Sequence, residues 1–325
     1  MNQRKSNFEL LRIVAMFLIV LYHLISYFIV PIDDTPIYKA IQIPLHIGVI
    51  LFVLISGYFK IRPSLKGLVS FMLPIIVYYI GGNLIFHLYK GNISEIDINQ
   101  FLFLSQSPYW FIRTYLYLYL LSPILNIYIQ EENKRLYLLS TLGFIALYMG
   151  MTKGDPSLSD GKNIVNFCFL YVLGNTINYF RFNSKIRKRT LLFSWGLINI
   201  ILVTTFIYSP TYISKIIWNF SFPYNSPLLI VNSILIFLFF FKLNLQNNKI
   251  NTLSTSVFSI YLIHQHPCIL YGVIQPIVKH IYSTANPKIE LWIALVVITL
   301  IIMGASILLD KIYKRFQDII IKKIS

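Results

Sequence analysis

Apolar runs of about twenty residues recur along the whole chain, separated by short polar segments. A helix rises 1.5 Å per residue, so about 20 residues cross the roughly 30 Å hydrocarbon core of a bilayer. The pattern predicts ten such spans, over 8–29, 41–59, 68–89, 109–130, 136–151, 164–180, 190–208, 227–242, 252–275 and 289–309. The connections between them are too short for a soluble domain of useful size. The expected fold is therefore an all-α integral membrane protein, a single transmembrane domain over 1–325.

Composition agrees with this pattern. Only 12% of the 325 residues are charged and 56% are hydrophobic, against about 25% charged in ordinary globular domains. The first apolar run continues from Phe8 to about Val30 without a small-residue cleavage pattern, so it is expected to be retained as the first span. The net charge of +16 does not point to nucleic acid, because Lys and Arg sit in short clusters between the spans. With the N-terminus inside, nineteen Lys and Arg fall in inside segments and seven in outside segments, while Arg12 and Arg113 lie within spans. That bias predicts a multi-pass protein of a cell membrane, read as a bacterial plasma membrane, with both termini cytoplasmic.

Two segments outside the spans have their own character. The predicted outside loop 209–226, SPTYISKIIWNFSFPYNS, is rich in aromatic residues, which suits either the membrane interface or the face of a sugar. The tail 310–325 places Ile312, Phe316, Ile319 and Ile320 at helical spacing among basic residues. It is expected to be an amphipathic helix lying on an anionic inner leaflet.

Against this background the ionisable residues inside spans stand out. In the first span, RIVAMFLIVLYH sets Arg12 and His23 eleven residues apart. At 100° and 1.5 Å per residue they share a face, about 20° apart in direction and about 16 Å apart along the axis. Intramembrane ionisable groups are costly and usually face a bundle interior or a watery cavity, marking function. Two readings of Arg12 stand side by side: a snorkelling anchor paired with Glu9 at i, i+3, or a ligand for an anion. His23 likewise reads either as an interhelical hydrogen bond or as a reacting group. His46 in the second span, Trp110, Arg113 and Tyr115 in PYWFIRTYLYLYLLSP, and Tyr261 and His264 in SVFSIYLIHQHP add polar groups to the same membrane. Trp110, Arg113 and Tyr115 also suit an interfacial belt. Cys168 and Cys268 lack C-x-x-C spacing, and no two histidines share the spacing of H-E-x-x-H, so no metal is expected. The P-loop, the G-x-S-x-G elbow and G-x-G-x-x-G are all missing, which disfavours ATP-driven pumping and nucleophile-elbow hydrolysis.

Four segments in order, R-I-V-A-M-F-L-I-V-L-Y-H, FVLISGY, PYWFIRTYLYLYLLSPILN and SVFSIYLIH, resemble the membrane acyltransferase-3 family, and the resemblance covers essentially the whole chain. The resemblance implies ten helices and transfer of an acyl group, commonly acetyl from cytoplasmic acetyl-CoA, to a hydroxyl of an exported or cell-surface saccharide. It places the catalytic histidine at His23 and the family arginine at Arg12. The family's R-x-x-R after the second helix is met only in part by KIRPSLKGLV, where Lys66 takes the first basic place and Val69 the second. Many members carry a fused extracytoplasmic hydrolase-like domain, which is not expected within these 325 residues.

The expected partners are thus acyl-CoA, a saccharide acceptor and the lipid bilayer, without nucleic acid. Arg12, Lys60, Arg62 and Lys66 would hold CoA phosphates at the inner mouth. A neutral His23 would accept the acceptor's proton during attack on the thioester, or carry the acyl group transiently. Trp110, Arg113, Tyr115, Tyr261 and His264 would contact the acceptor or the developing oxyanion. A polytopic transporter or flippase of an envelope polysaccharide precursor is the competing class, and a sensor or assembly scaffold the third.

Overall fold

The computed structural model describes residues 5–91, 109–151, 160–180, 186–285 and 288–324. Every regular element among them is helical. The first rod is α1 (Ser6–Leu24), which passes into a π-helical turn at Ile25–Ile29. Next come α2 (Pro36–Ala40), α3 (Gln42–Leu45) and α4 (Gly48–Phe59), three pieces of one interrupted rod. Then follow α5 (Leu65–Ile75), α6 (Gly81–Lys90), α7 (Trp110–Tyr128), α8 (Glu132–Met151) and α9 (Ile164–Tyr179). The remainder is α10 (Lys188–Tyr208), α11 (Thr211–Ser221), α12 (Pro227–Phe241), α13 (Asn248–Ser254), α14 (Val257–His264), α15 (Pro267–Ile269), α16 (Gln275–Thr284) and α17 (Lys288–Ile324).

Helices cover each of the ten apolar segments read from the sequence. By length and composition, five rods among the described residues suffice to cross a membrane: Ser6–Ile29, Pro36–Phe59, Leu65–Leu88, Lys188–Tyr208 and Ile289–Gln317. A sixth is added if Asn248–His264 and Pro267–Thr284, bent by 71°, count as one span. Some of the others are short for a full crossing, since the 15 residues of α12 reach only about 22 Å. Large apolar side chains face outward on these rods, among them Phe193 at 70% exposure, Ile200 at 63% and Ile301 at 62%. Such continuous apolar exposure is unfavourable in water and matches a lipid-facing surface. The chain is a membrane protein.

Contacts divide the chain into two compact units, Met1–Arg62 with Thr114–Asn251, and Pro63–Arg113 with Thr252–Ser325. In the first, α1 turns Phe8, Leu11, Ala15 and Ile19 inward, at the three- and four-residue spacing of one helix face. Asn7 Nδ2 donates to the carbonyls of Phe240 and Phe241 at 3.1 and 3.2 Å, tying the start of α1 to the end of α12. The tightest pairing joins α4 to α9. A Cβ on Gly57 would lie 2.0 Å from the Tyr171 carbonyl oxygen, and one on Gly174 would lie 2.3 Å from that of Leu54. Each helix presents its glycine to the other's backbone, the small-residue packing that lets helices associate in lipid.

The aromatic segment 209–226 is largely a helix, α11, started by Pro210, with no Pro or Gly inside it. Trp218 stacks on Phe222 at 3.7 Å and packs against the cluster of Ala40, Ile43, Leu202 and Phe206.

In the second unit, buried Asp310 accepts from Ser259 at 2.5 Å and from Tyr78 at 3.4 Å, and pairs with Lys314 at 2.6 Å. The expected amphipathic tail continues α17 without a break as far as Ile324. Asp310 and Tyr313 turn into the protein, while Ile312 and Phe316 are exposed.

Candidate active site

One unbroken helix carries both Arg12 and His23. The rise of α1 therefore sets them about 16 Å apart, close to the same direction. Arg12 Nη1 donates to Glu9 Oε1 at 2.7 Å, and the Arg12 side chain keeps 32% of its surface exposed against 9% for Glu9. The i, i+3 pair expected from the sequence is present, and the cation still opens outward beyond it. Ser56 gives its hydroxyl proton to the Phe52 carbonyl at 2.9 Å, so at 3.0 Å the Tyr115 hydroxyl donates to Ser56. Tyr115 also lies within Coulombic range of Arg12. It therefore belongs to the Arg12 end of this unit.

Lys60 and Arg62 follow α4 and are exposed. Their connection is held at Ile61. The Tyr171 hydroxyl accepts from Ile61 N–H at 3.0 Å and donates to Asn126 Oδ1 at 2.8 Å, while Asn126 Nδ2 donates to the Ile61 carbonyl at 2.8 Å. Both backbone polar groups of one loop residue are thereby satisfied, and the two basic residues are carried on a fixed segment. Lys60 itself sits at φ 58°, a left-handed backbone that non-glycine residues rarely adopt.

At the other end of α1, His23 is half-buried and precedes the π turn by two residues. Such turns admit an extra residue into the helix and are frequent at functional sites. The His23 ring stacks on Tyr27, with centroids 5.0 Å apart and planes at 14°, and lies 5.3 Å from the Tyr22 ring. Beyond Tyr22, at 4.7 Å, is His46, enclosed by Phe222 at 4.1 Å and Tyr224 at 4.3 Å. His46 is 5% exposed, and neither of its ring nitrogens has a hydrogen-bond partner.

The second unit contains Lys66, Trp110, Arg113, Tyr261 and His264. Lys66 is exposed on the first turn of α5, whose cap Ser64 accepts from Gly67 N–H at 3.0 Å. Tyr261 lies 5.9 Å from His264 and 5.7 Å from Phe111, the neighbour of half-buried Trp110. Arg113 is half-buried one turn further along α7. His264 Nδ1 faces the Ile260 carbonyl at 2.7 Å and so carries the ring proton, which leaves Nε2 as an acceptor toward Gln265 Nε2 at 3.3 Å. His266 is a cap: its Nδ1 accepts from Cys268 N–H at 3.3 Å. No cluster of three or more His, Cys, Asp or Glu side chains able to hold a metal occurs among the described residues.

A family described as an acyltransferase domain matches residues 5–310. The chain belongs to the acyltransferase 3 family. Neither curated proteins nor solved structures give a match. Membership makes the protein an acyltransferase whose transferred group is not an aminoacyl group. It also gives the geometry of α1 a chemical context, since this acyltransferase 3 chain sets a cation and an imidazole on one helix face.

Two groups of the first unit are not among the candidates drawn from the sequence. His46 reads there only as another polar residue in a span, because its cage comes from Phe222 and Tyr224, far along the chain. Arg135 reads as one more cation in a basic connection, yet it is 2% exposed.

Proposed function

We propose that the protein is a membrane O-acyltransferase that moves an acetyl group from cytoplasmic acetyl-CoA to a hydroxyl of an exported or cell-surface saccharide. The supporting observation is the unbroken α1, with Arg12 about 16 Å from His23 on one face. The proposed topology has ten spans and both termini cytoplasmic in a bacterial plasma membrane, following the bias of nineteen inside against seven outside basic residues. Arg12 then lies at the inner mouth and His23 deeper in the membrane.

In this mechanism acetyl-CoA supplies a thioester carbonyl near His23. Half-buried Arg12 and the exposed cations Lys60, Arg62 and Lys66 suit its phosphates. Neutral His23 takes the proton of the acceptor hydroxyl as that oxygen attacks the carbonyl. The C–S bond breaks, and the proton on His23 passes to the departing thiolate, so His23 ends neutral. Tyr261 and His264 orient the acceptor, with Trp110 and Arg113 as further contacts, while Tyr115 supports Arg12.

His23→Ala is expected to abolish acetylation of surface polysaccharide, read from its acetyl NMR signals, with the membrane level of the protein unchanged. Normal acetylation in that variant would sink the mechanism. A transporter or flippase is the second reading, favoured by the 71° bend between Asn248–His264 and Pro267–Thr284, since broken helices line transport sites. Purified protein that turns over acetyl-CoA excludes it.

A further inference from the structure

Around the segment that follows α4, the first unit holds a cavity of about 250 Å³ lined by Lys60, Arg135, Asn175, Asn178 and Tyr179. Arg135 is 2% exposed and stacks its guanidinium over the Tyr179 ring at 3.6 Å. One of its nitrogens, Nη2, donates to the Ile129 carbonyl, while Nε and Nη1 have no partner. Asn175, also 2% exposed, has an unpartnered Oδ1. Asn178 Nδ2 donates to the Tyr58 carbonyl at 2.9 Å. At the rim Glu132 accepts from the Tyr179 hydroxyl at 3.0 Å, and no ion pair between Glu132 and Arg135 is formed.

A buried guanidinium with two idle donors is expensive unless a charge or strong acceptor completes it. Its planar fork matches the oxygens of a phosphate, and the ring beneath it fixes the plane. Lys60 adds a second cation from a strained backbone, the kind of conformation that collects at ligand sites. We propose that this cavity is an anion site, in which Arg135 Nε and Nη1 with the Lys60 ammonium bind a phosphate group. Two sources offer that chemistry, the phosphates of CoA and the headgroup of an anionic lipid, and the first rests on the function proposed above.

The test uses the full chain in nanodiscs of phosphatidylcholine alone. Two variants are compared with the unaltered protein: Arg135→Gln, and Lys60→Gly, which removes the charge while favouring the observed backbone. If CoA supplies the phosphate, each variant raises the Kd for CoA about tenfold or more and leaves that for pantetheine unchanged. If lipid supplies it, Arg135→Gln binds CoA as the unaltered protein does, and adding phosphatidylglycerol raises the melting temperature of the unaltered protein but not of Arg135→Gln. Variants that remain monodisperse, bind CoA normally and respond normally to phosphatidylglycerol overturn the site. Unaltered protein that binds no CoA would instead sink the acyl-transfer reading, and the lipid arm alone would then decide the cavity.

Discussion

Gly174→Ala tests the contact that holds α4 against α9. The added Cβ would lie 2.3 Å from the Leu54 carbonyl oxygen, where ordinary contact is 3.4–4 Å, so the helices must part by about 1 Å. The obstacle is backbone and cannot rotate away. Forcing an extra methyl into a packed interface costs about 1–3 kcal/mol. Replacing a helical glycine by alanine returns roughly 0.5–1 kcal/mol. Central values leave a net loss of about 1 kcal/mol, read as a fall of a few degrees in the melting temperature of detergent-solubilised protein. Gly57→Ala makes the same demand from the other side, its Cβ falling 2.0 Å from the Tyr171 carbonyl oxygen. Once the helices have separated for one methyl, the second enters a gap already opened, so the double variant should lose clearly less than the sum. Because Tyr171 also holds the Ile61 peptide, the separation should loosen the segment bearing Lys60 and Arg62 and raise the KM for acyl donor. An unchanged or higher melting temperature, or full additivity in the double variant, would refute the close-approach argument.

Two further outcomes follow from buried polar groups. Glu9→Gln keeps an acceptor beside Arg12 but removes the charge that competes with an anionic donor at 2.7 Å. CoA binding at low salt should tighten roughly two- to tenfold, and weaker binding would show that Glu9 positions Arg12 instead of masking it. His46→Phe replaces a buried ring with two unpartnered nitrogens by an apolar ring inside an aromatic cage. Stability should hold or rise by about 1–2 kcal/mol, read from the melting temperature, and a loss of about 3 kcal/mol or more would mean that the nitrogens are satisfied in the membrane.

What the sequence made legible is local. An apolar run declares a helix whatever it packs against, so segments such as 190–208 and 227–242 emerge as α10 and α12 with shifts of a residue or two at their ends. The shared face of Arg12 and His23, and the reach of Arg12 to Glu9, follow from helical period alone and reappear on α1. The interrupted rod at 36–59 and the π turn after His23 do not follow from period. The first lies at Pro44, which has no N–H to donate to the ladder, and the second is an extra residue taken into one turn, and a hydropathy pattern records neither.

Partners distant in sequence mark the other boundary of legibility, and Tyr115 and Arg135 show what lies there. Tyr115 reads as a belt or acceptor residue because it lies in a span rich in tyrosine, yet its hydroxyl is fixed by Ser56, on another helix. Arg135 reads as a topological charge because a count of Lys and Arg weighs every cation alike. Its burial is decided by the Tyr179 ring at the end of α9. The count is statistically sound and chemically blind: a cation that only sets topology should stay hydrated, as Lys134 does with 55% of its side chain exposed. Its neighbour Arg135 is instead withdrawn from water with two donors idle, at a cost that orientation in the membrane does not require. That contrast between adjacent residues of one helix turn, more than the total of basic residues, is the physical reason to look for an anion at Arg135.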